Sequence, residues 1–134
     1  MPAENTKLTR NQQLVLARLE AASGPVSAYG LLDQLRDDGF RAPLQVYRAL
    51  EGLIRGGLVH RLESLNAFVA CAGLHDHGQL TTAFAICDAC GQVEEISDRL
   101  VSDALDGMIG STGFAARKAV IEFRGTCARC RAAG

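Results

Sequence analysis

The apolar positions in the first half of the chain recur with a helical period in three successive segments. They predict helices at residues 10–22 and 28–38, and a third that begins at Pro43 and ends at the glycines 56–57. Thr9 with Gln12 is suited to cap the first helix, and Ser27 is suited to cap the second. The predicted inward faces consist of Leu8, Val15, Leu19 and Ala22, then Ala28, Leu31, Leu32 and Leu35, and finally Val46, Leu50, Leu53 and Ile54.

After these glycines the apolar period shortens to two residues, which is typical of β-strands. Residues 58–63 and 68–71 therefore predict a β-hairpin. A two-residue loop at Leu65-Asn66 would place His60 opposite Cys71. Three helices followed by a hairpin is the order of a winged helix-turn-helix module, whose third helix enters the major groove of DNA.

The second half predicts three strands, at residues 81–86, 92–96 and 119–124, with a helix before the last of them. Ser97 is the predicted cap of that helix. So small a sheet buries little surface, and we expect the broad apolar stripe of the helix to serve a subunit interface as well. The stripe consists of Leu100, Val101, Ala104, Leu105, Met108 and Ile109.

These elements predict an α+β protein with two small domains. Residues 1–72 would form a winged helix-turn-helix domain suited to binding DNA, 73–79 a linker, and 80–134 a small α/β domain with the expected subunit interface. The formal net charge of −1 gives no overall basic character, so a nucleic acid would have to meet a local patch. The sequence has neither a membrane-spanning run nor a signal peptide, and we expect a cytoplasmic protein without a membrane partner.

The five cysteines would then lie in a reducing compartment, where paired spacing indicates metal binding or redox catalysis. Cys87 with Cys90, and Cys127 with Cys130, form two Cys-x-x-Cys motifs. Two such motifs complete a tetrahedral thiolate shell, which is typical of structural zinc. The alternatives are a dithiol of the thioredoxin type, although neither pair opens a long helix in a βαβ unit, and four buried cysteines without a ligand.

The fifth cysteine suggests a second metal site. The predicted hairpin brings Cys71 close to His60, and His75 and His77 face one side of the extended segment that follows. Taken singly, His60 could be an imidazole satisfied within the core, and Cys71 a buried apolar thiol. Tyr47 and Arg48 lie on the outward face of the third helix, where they could read bases and phosphates or simply form a solvated surface.

Several motifs together resemble the ferric uptake regulator (Fur) family of bacterial metal-dependent repressors, and most closely its zinc-sensing branch. The recognition helix is similar in Val46-Tyr47-Arg48-Ala49-Leu50, and the start of the preceding helix in Ser27-Ala28-Tyr29. The wing is similar in residues 59–64 with Asn66. The first cysteine motif is similar in Ile86-Cys87-x-x-Cys90-Gly91, and the resemblance runs from about Leu8 to Cys130.

The resemblance implies a homodimer that binds double-stranded operator DNA and represses zinc-uptake genes when zinc is plentiful. It implies two zinc ions per protomer, one structural, on the four paired cysteines, and one regulatory. The regulatory ligands would be His60, Cys71, Glu95 and a histidine of the linker. Alignment from Cys87 backwards places Leu80 where the family has that histidine, so His77 must replace it, or else His75.

The resemblance also assigns DNA contacts to Tyr29 and Arg48, and a link between neighbouring dimers to Asp33 with Arg36. Gly30 and Gln45 depart from the family, which commonly has an acidic residue and a threonine there, so the base preference is expected to differ in detail.

Three other functions compete with this interpretation. A sensor of iron, manganese, nickel or peroxide is disfavoured by Cys71, because thiolate suits zinc better than it suits the harder ions. A zinc-dependent hydrolase would need an open coordination position and a general base, and no His-Glu-x-x-His motif is present. A zinc-ribbon module without DNA is the third. We expect a protein that is not an enzyme and has no small-molecule substrate.

Overall fold

The computed structural model describes residues 7–72 and 81–133. The chain divides into two compact units, Met1–Cys71 and Ala72–Gly134, and each is described by itself. The first unit contains α1 (Arg10–Ala21), α2 (Ala28–Gln34), a 3-10 turn (Arg36–Asp38), α3 (Pro43–Arg55), β1 (Val59–Leu62) and β2 (Ala67–Ala70). The second contains β3 (Thr81–Cys87), β4 (Val93–Ile96), α4 (Arg99–Gly110), β5 (Ala119–Gly125) and α5 (Ala128–Ala133).

The predicted helix starts of the first unit are confirmed. Thr9 and Gln12 form a capping box, in which each side chain accepts the backbone N–H of the other residue at 3.0 to 3.1 Å. Ser27 Oγ accepts the N–H of Gly30 at 3.0 Å at the start of α2, and Pro43 is the first residue of α3. These contacts satisfy N–H groups that a helix leaves without partners in its first turn.

The second predicted helix is shorter than expected, because it changes character at Leu35. Its N–H is shared between the carbonyls of Leu31 and Leu32, at 3.0 and 3.2 Å, and the chain then tightens into the 3-10 turn. Gly39 ends the turn with a φ of 98°, in the left-handed region where glycine carries no Cβ penalty. The chain thereby reverses before α3.

The core of the first unit is built from the inward faces of the three helices, closed by the hairpin. The predicted inward residues Val15, Leu31, Val46 and Leu53 are all fully buried. Because α3 buries this face, its opposite face is left exposed. The buried cluster consists of Val15, Leu19, Ala28, Leu31, Leu32, Leu35, Phe40, Val46, Ala49, Leu50, Leu53, Val59 and Phe68.

The register of the hairpin differs from the prediction. His60 lies opposite Val69, not opposite Cys71, because residues 63–66 form a four-residue turn in place of the two-residue loop. Asn66 supports this turn with a φ of 50°, a conformation that asparagine tolerates better than most residues. The N–H of Cys71 donates to the carbonyl of Leu58 at 2.8 Å, which extends the ladder beyond β2.

An unpredicted bridge ties the hairpin to the segment between α1 and α2. Val26 and Phe68 exchange two backbone hydrogen bonds, of 3.0 and 2.9 Å, and Phe68 is buried in the core. The hairpin is therefore held to the helical part of the unit by both backbone pairing and packing.

The second unit is a three-stranded sheet in the order β4-β3-β5, with β4 antiparallel and β5 parallel to β3. The helix α4 forms the crossover between β4 and β5, as a parallel pair requires. The three predicted strands are confirmed, but the N-cap of α4 is Asp98 and not Ser97: its carboxylate accepts the N–H of Val101 at 3.1 Å. The short α5 was not predicted.

The predicted apolar stripe of α4 is largely exposed within a single chain. Leu100 and Met108 are 82% and 62% exposed, and the one buried residue of the helix is Ser102. No helix in the described part of the chain is long and apolar enough to cross a membrane.

Gly39→Ala should lower the free energy of unfolding of the first unit by about 1 to 2 kcal/mol, because a Cβ at positive φ approaches the following carbonyl. No neighbouring atom lies within 4 Å of the added Cβ, so the cost is that of the backbone alone. Gly56→Ala is the matched control, since Gly56 has a φ of −80° and only ordinary contacts. In thermal unfolding, Gly39→Ala should have a lower midpoint than Gly56→Ala. Equal midpoints would contradict the left-handed conformation of Gly39.

Candidate metal centres and nucleic-acid interface

The four paired cysteines meet at one point in the second unit. All four Sγ atoms lie within 4.8 Å of one another, and those of Cys90 and Cys127 are 3.9 Å apart. Zinc–sulfur bonds of about 2.3 Å in a tetrahedron require sulfur–sulfur distances of about 3.8 Å. A disulfide would require about 2 Å, and all five cysteines are free thiols. The cluster therefore has the dimensions of a tetrahedral zinc site.

Strand pairing explains why the two motifs meet. Cys87 is the last residue of β3 and lies beside Gly125 of the parallel β5, so both motifs leave the same end of the sheet. The first motif is a tight turn in which the N–H of Gly91 donates to the carbonyl of Cys87 at 2.9 Å. Gly91 has a φ of 77°, which favours glycine there.

The thiols of the cluster have unequal acidities. The N–H of Cys127 donates to Cys87 Sγ at 3.3 Å, and chiefly for this reason the pKa of Cys87 falls to about 6. The pKa of Cys130 rises to about 12, first because of its hydrogen bond with Cys127 and then because of those with Cys90 and Cys87. Sulfurs this close resist ionising together, and a bound divalent cation would remove that conflict.

Three charged side chains that were not predicted as site residues lie beside the cluster. Arg124 donates through Nε and Nη2 to Asp88 Oδ1 at 2.9 and 2.7 Å, which joins β5 to the first motif. Arg129, inside the second motif, directs Nη2 towards Cys90 Sγ at 3.9 Å and Gln92 Oε1 at 3.2 Å. The only signal in the sequence was the position of Arg129 between two cysteines.

The residues predicted for a second metal site lie in different parts of the chain. In the first unit, His60 and Cys71 share one face of the hairpin, are half-buried, and place potential ligand atoms within 4.8 Å of each other. In the second unit, Glu95 on β4 is 9% exposed and accepts the N–H of Ala72 at 3.0 Å. His75 and His77 lie outside the described residues.

The residues predicted to meet DNA are exposed on the first unit. Tyr29 is 64% exposed on α2, and Tyr47 and Arg48 are exposed on α3. Gln45 is turned to the helix start, where Oε1 accepts the N–H groups of Arg41 and Ala42. An exposed polar helix face of this kind is suited to the major groove.

Two further contacts shape this surface. Arg61 Nη2 donates to Asn66 Oδ1 at 2.9 Å and so braces the tip of the hairpin. Asp33 and Arg36, the pair predicted to link neighbouring dimers, form an exposed ion pair with each other at 3.2 Å.

Relatives of known identity have the same organisation. The zinc uptake regulation proteins of Escherichia coli (strain K12) and of Shigella flexneri are each 42% identical to this chain over 127 residues, which covers 94% of it and 74% of the relative. The structure of a zinc uptake regulator complexed with zinc and DNA matches with a TM-score of 0.86 and 40% identity, covering 98% of this chain and 88% of that one. Holo XcZur matches with a TM-score of 0.83 and 41% identity, covering 96% and 89%. No protein-family model matches the sequence.

A winged helix-turn-helix unit followed by a small α/β unit, whose cysteine cluster could hold a metal ion, is the architecture of a metal-dependent transcriptional regulator. The identities and coverages make the assignment specific. The chain belongs to the ferric uptake regulator family, among its zinc uptake regulators. The predicted family and fold class are thereby confirmed.

Proposed function

We propose that this protein is a zinc-responsive transcriptional repressor, which binds the operators of zinc-uptake genes as a zinc-loaded homodimer in the cytoplasm. The observation that carries the proposal is the match, over nearly the whole chain, to a zinc uptake regulator whose structure contains zinc and DNA. The exposed stripe of α4 provides an apolar surface for the second protomer.

We assign a structural zinc ion to Cys87, Cys90, Cys127 and Cys130. The proposal is supported by sulfur–sulfur distances that suit a tetrahedron and by the absence of an open position for a substrate in a shell of four protein ligands. An ion there would tie the end of β3 to the end of β5, in a unit with few buried apolar residues.

We assign the regulatory zinc ion to His60, Cys71 and Glu95, with His77 or His75 as the fourth ligand. The distance between His60 and Cys71 supports the pair as ligands of one ion. The carboxylate of Glu95 accepts the N–H of Ala72, the residue that follows Cys71 in the chain. A mixed nitrogen, sulfur and oxygen shell suits zinc better than iron or manganese.

Such a site explains how zinc would act on DNA binding. His60 and Cys71 belong to the first unit, which contains α3, whereas Glu95 belongs to the second unit, which contains the exposed stripe of α4. One ion bound by all three would restrict the angle between the units. In a homodimer that angle sets the distance between the two copies of α3, which must match two half-sites on the duplex.

On the DNA side, we propose that Tyr29, Tyr47 and Arg48 contact the operator. Asp33 and Arg36 would exchange their present pairing for contacts with a neighbouring dimer. Exposed pairs contribute little to stability, so the exchange costs little.

Arg48→Ala should weaken operator binding by about 1 to 3 kcal/mol per half-site, which is about 5- to 150-fold, because a bidentate arginine–guanine contact is lost. The loss should depend on one operator position. Arg55→Ala, at the C-terminal end of the same helix, is the matched control. Equal weakening on operator and unrelated DNA would make Arg48 a phosphate contact instead.

A DNA-binding titration at fixed ionic strength, with free zinc buffered over a wide range, tests the proposed function. We expect tight binding to a zinc-uptake promoter fragment only above a threshold of free zinc, with little response to iron or manganese. DNA binding that depends on iron or manganese would instead identify a sensor of that metal. If the protein binds no DNA at any salt concentration, it is a zinc-binding module that does not act on DNA.

A further inference from the structure

The side chain of Arg129 connects the two cysteine motifs. It leaves the backbone between Cys127 and Cys130, yet its guanidinium reaches the first motif, where Nη2 lies 3.9 Å from Cys90 Sγ and 3.2 Å from Gln92 Oε1. Sulfur is a large acceptor, so this distance corresponds to a long N–H···S hydrogen bond. The contact is directed at one sulfur of the four.

Cys90 is also the most exposed residue of the four. Cys87 is buried and receives a backbone N–H from Cys127, and Cys127 and Cys130 are half-buried, whereas Cys90 is exposed. A chelator or an electrophile arriving from solvent therefore meets Cys90 first. The guanidinium of Arg129 lies beside this side chain.

We propose that Arg129 is a positioning residue of the tetracysteine site, which slows both the loss of its zinc ion and the reaction of Cys90 with electrophiles. The inference rests on the structural zinc ion of the proposed function. It adds a residue from outside the ligand set, and assigns it a kinetic role.

The physical reason is charge. Four thiolates around one Zn²⁺ leave an excess of negative charge, and a guanidinium is permanently positive and weakly hydrated. Its N–H group draws electron density from Cys90 Sγ, which makes the sulfur a poorer nucleophile, and its positive charge offsets part of the negative charge of the thiolates. Asp88, the carboxylate within the first motif, is paired with Arg124 at 2.7 Å.

In a protein with two zinc sites, Arg129 would help to keep the structural ion bound while the regulatory ion exchanges. The regulatory ion must exchange as free zinc changes, while the structural ion must persist through the same changes. Shielding Cys90, the one exposed cysteine of the structural site, widens the difference in exchange rate between the two ions without any change to the regulatory ligands.

The test compares Arg129→Gln with wild type and with Arg131→Gln, which removes an exposed arginine from the same helix. Zinc-loaded full-length proteins are mixed with an excess of a chromogenic chelator, and the slow phase of zinc release is followed. In parallel, iodoacetamide labels the cysteines: each thiolate sulfur forms a bond to carbon as iodide leaves, and mass spectrometry gives the rate at Cys90.

We expect Arg129→Gln to accelerate zinc release and Cys90 labelling by about tenfold, the lower end of what loss of a partner to a metal ligand costs. Arg131→Gln should match wild type. Arg129→Lys, which keeps the charge, should recover part of the protection even if the glutamine variant is poorly folded. Unchanged rates in both Arg129 variants would overturn the inference, whereas a wild-type protein with no slowly released zinc would overturn the structural site itself.

Discussion

Cys90→Ser should remove zinc from the second unit and unfold that unit, while the first unit stays folded. Zinc contributes about 10 to 16 kcal/mol to the folding of small zinc domains, comparable to the whole stability of an ordinary domain. Among the described residues, the buried apolar side chains of the second unit are Phe84, Ile86 and Cys87. Such a core cannot replace the ion. The first unit has a cluster of thirteen buried residues that contains no metal ligand.

Hydrogen exchange followed by mass spectrometry resolves the two units in one experiment. Protection should be lost across β3, β4 and β5 and retained across α1 and α3, and sedimentation should show loss of the dimer. Cys71→Ser is the matched control, because it removes a thiol outside the cluster and should keep both protection and dimer. A folded, zinc-regulated dimer of Cys90→Ser would contradict the assignment of a structural ion.

Cys71→Ser should leave one zinc ion per protomer and abolish the dependence of DNA binding on zinc. Coupling between two sites is typically about 1 to 3 kcal/mol, so wild type should gain about 5- to 150-fold in operator affinity on loading the second ion. The variant should stay at the affinity of the zinc-poor protein. The reason is that a hydroxyl is a poor zinc ligand, and His60 alone would then hold the ion on the hairpin.

Zinc content per protomer and operator affinity, measured on the same samples at low and high free zinc, test this prediction. Ser64→Ala is a control on the same hairpin that changes an exposed hydroxyl in the turn. If Cys71→Ser still binds the operator only when zinc is added, the regulatory ion lies on other residues.

The elements of the fold could be predicted because local sequence signals mark where they begin and hydrophobic periodicity indicates their type. The capping box at Thr9, the Ser27 cap of α2 and the proline at the start of α3 are local signals, and the structure confirms each. The errors also have local causes: Asp98 competes with Ser97 for the cap of α4, and Leu35 shares its N–H between two carbonyls. Hydrophobic periodicity indicates neither the capping residue of α4 nor the hydrogen-bond partners of Leu35.

The hairpin shows which part of a prediction survives an error in register. The four-residue turn shifts the pairing by two residues, and side chains alternate with a period of two. His60 and Cys71 therefore remain on the same face although they are not directly opposed. A shift of one residue would have separated them.

Contacts between distant parts of the sequence could not be predicted. The hydrogen bonds of Glu95 with Ala72, of Arg129 with Gln92 and of Val26 with Phe68 join residues whose spacing carries no periodic signal. The meeting of the cysteine motifs could be predicted because two Cys-x-x-Cys spacings together indicate one tetrahedral zinc site.

Reciprocal coupling in the wild-type protein tests the central claim most directly. If zinc sets the geometry that DNA recognises, operator DNA must tighten zinc binding at the regulatory site by the same factor by which zinc tightens DNA binding. We expect zinc titrations with and without operator duplex to differ by about 5- to 150-fold in the weaker site and not at all in the tetracysteine site. Equal zinc affinities with and without the duplex would contradict a zinc-responsive repressor.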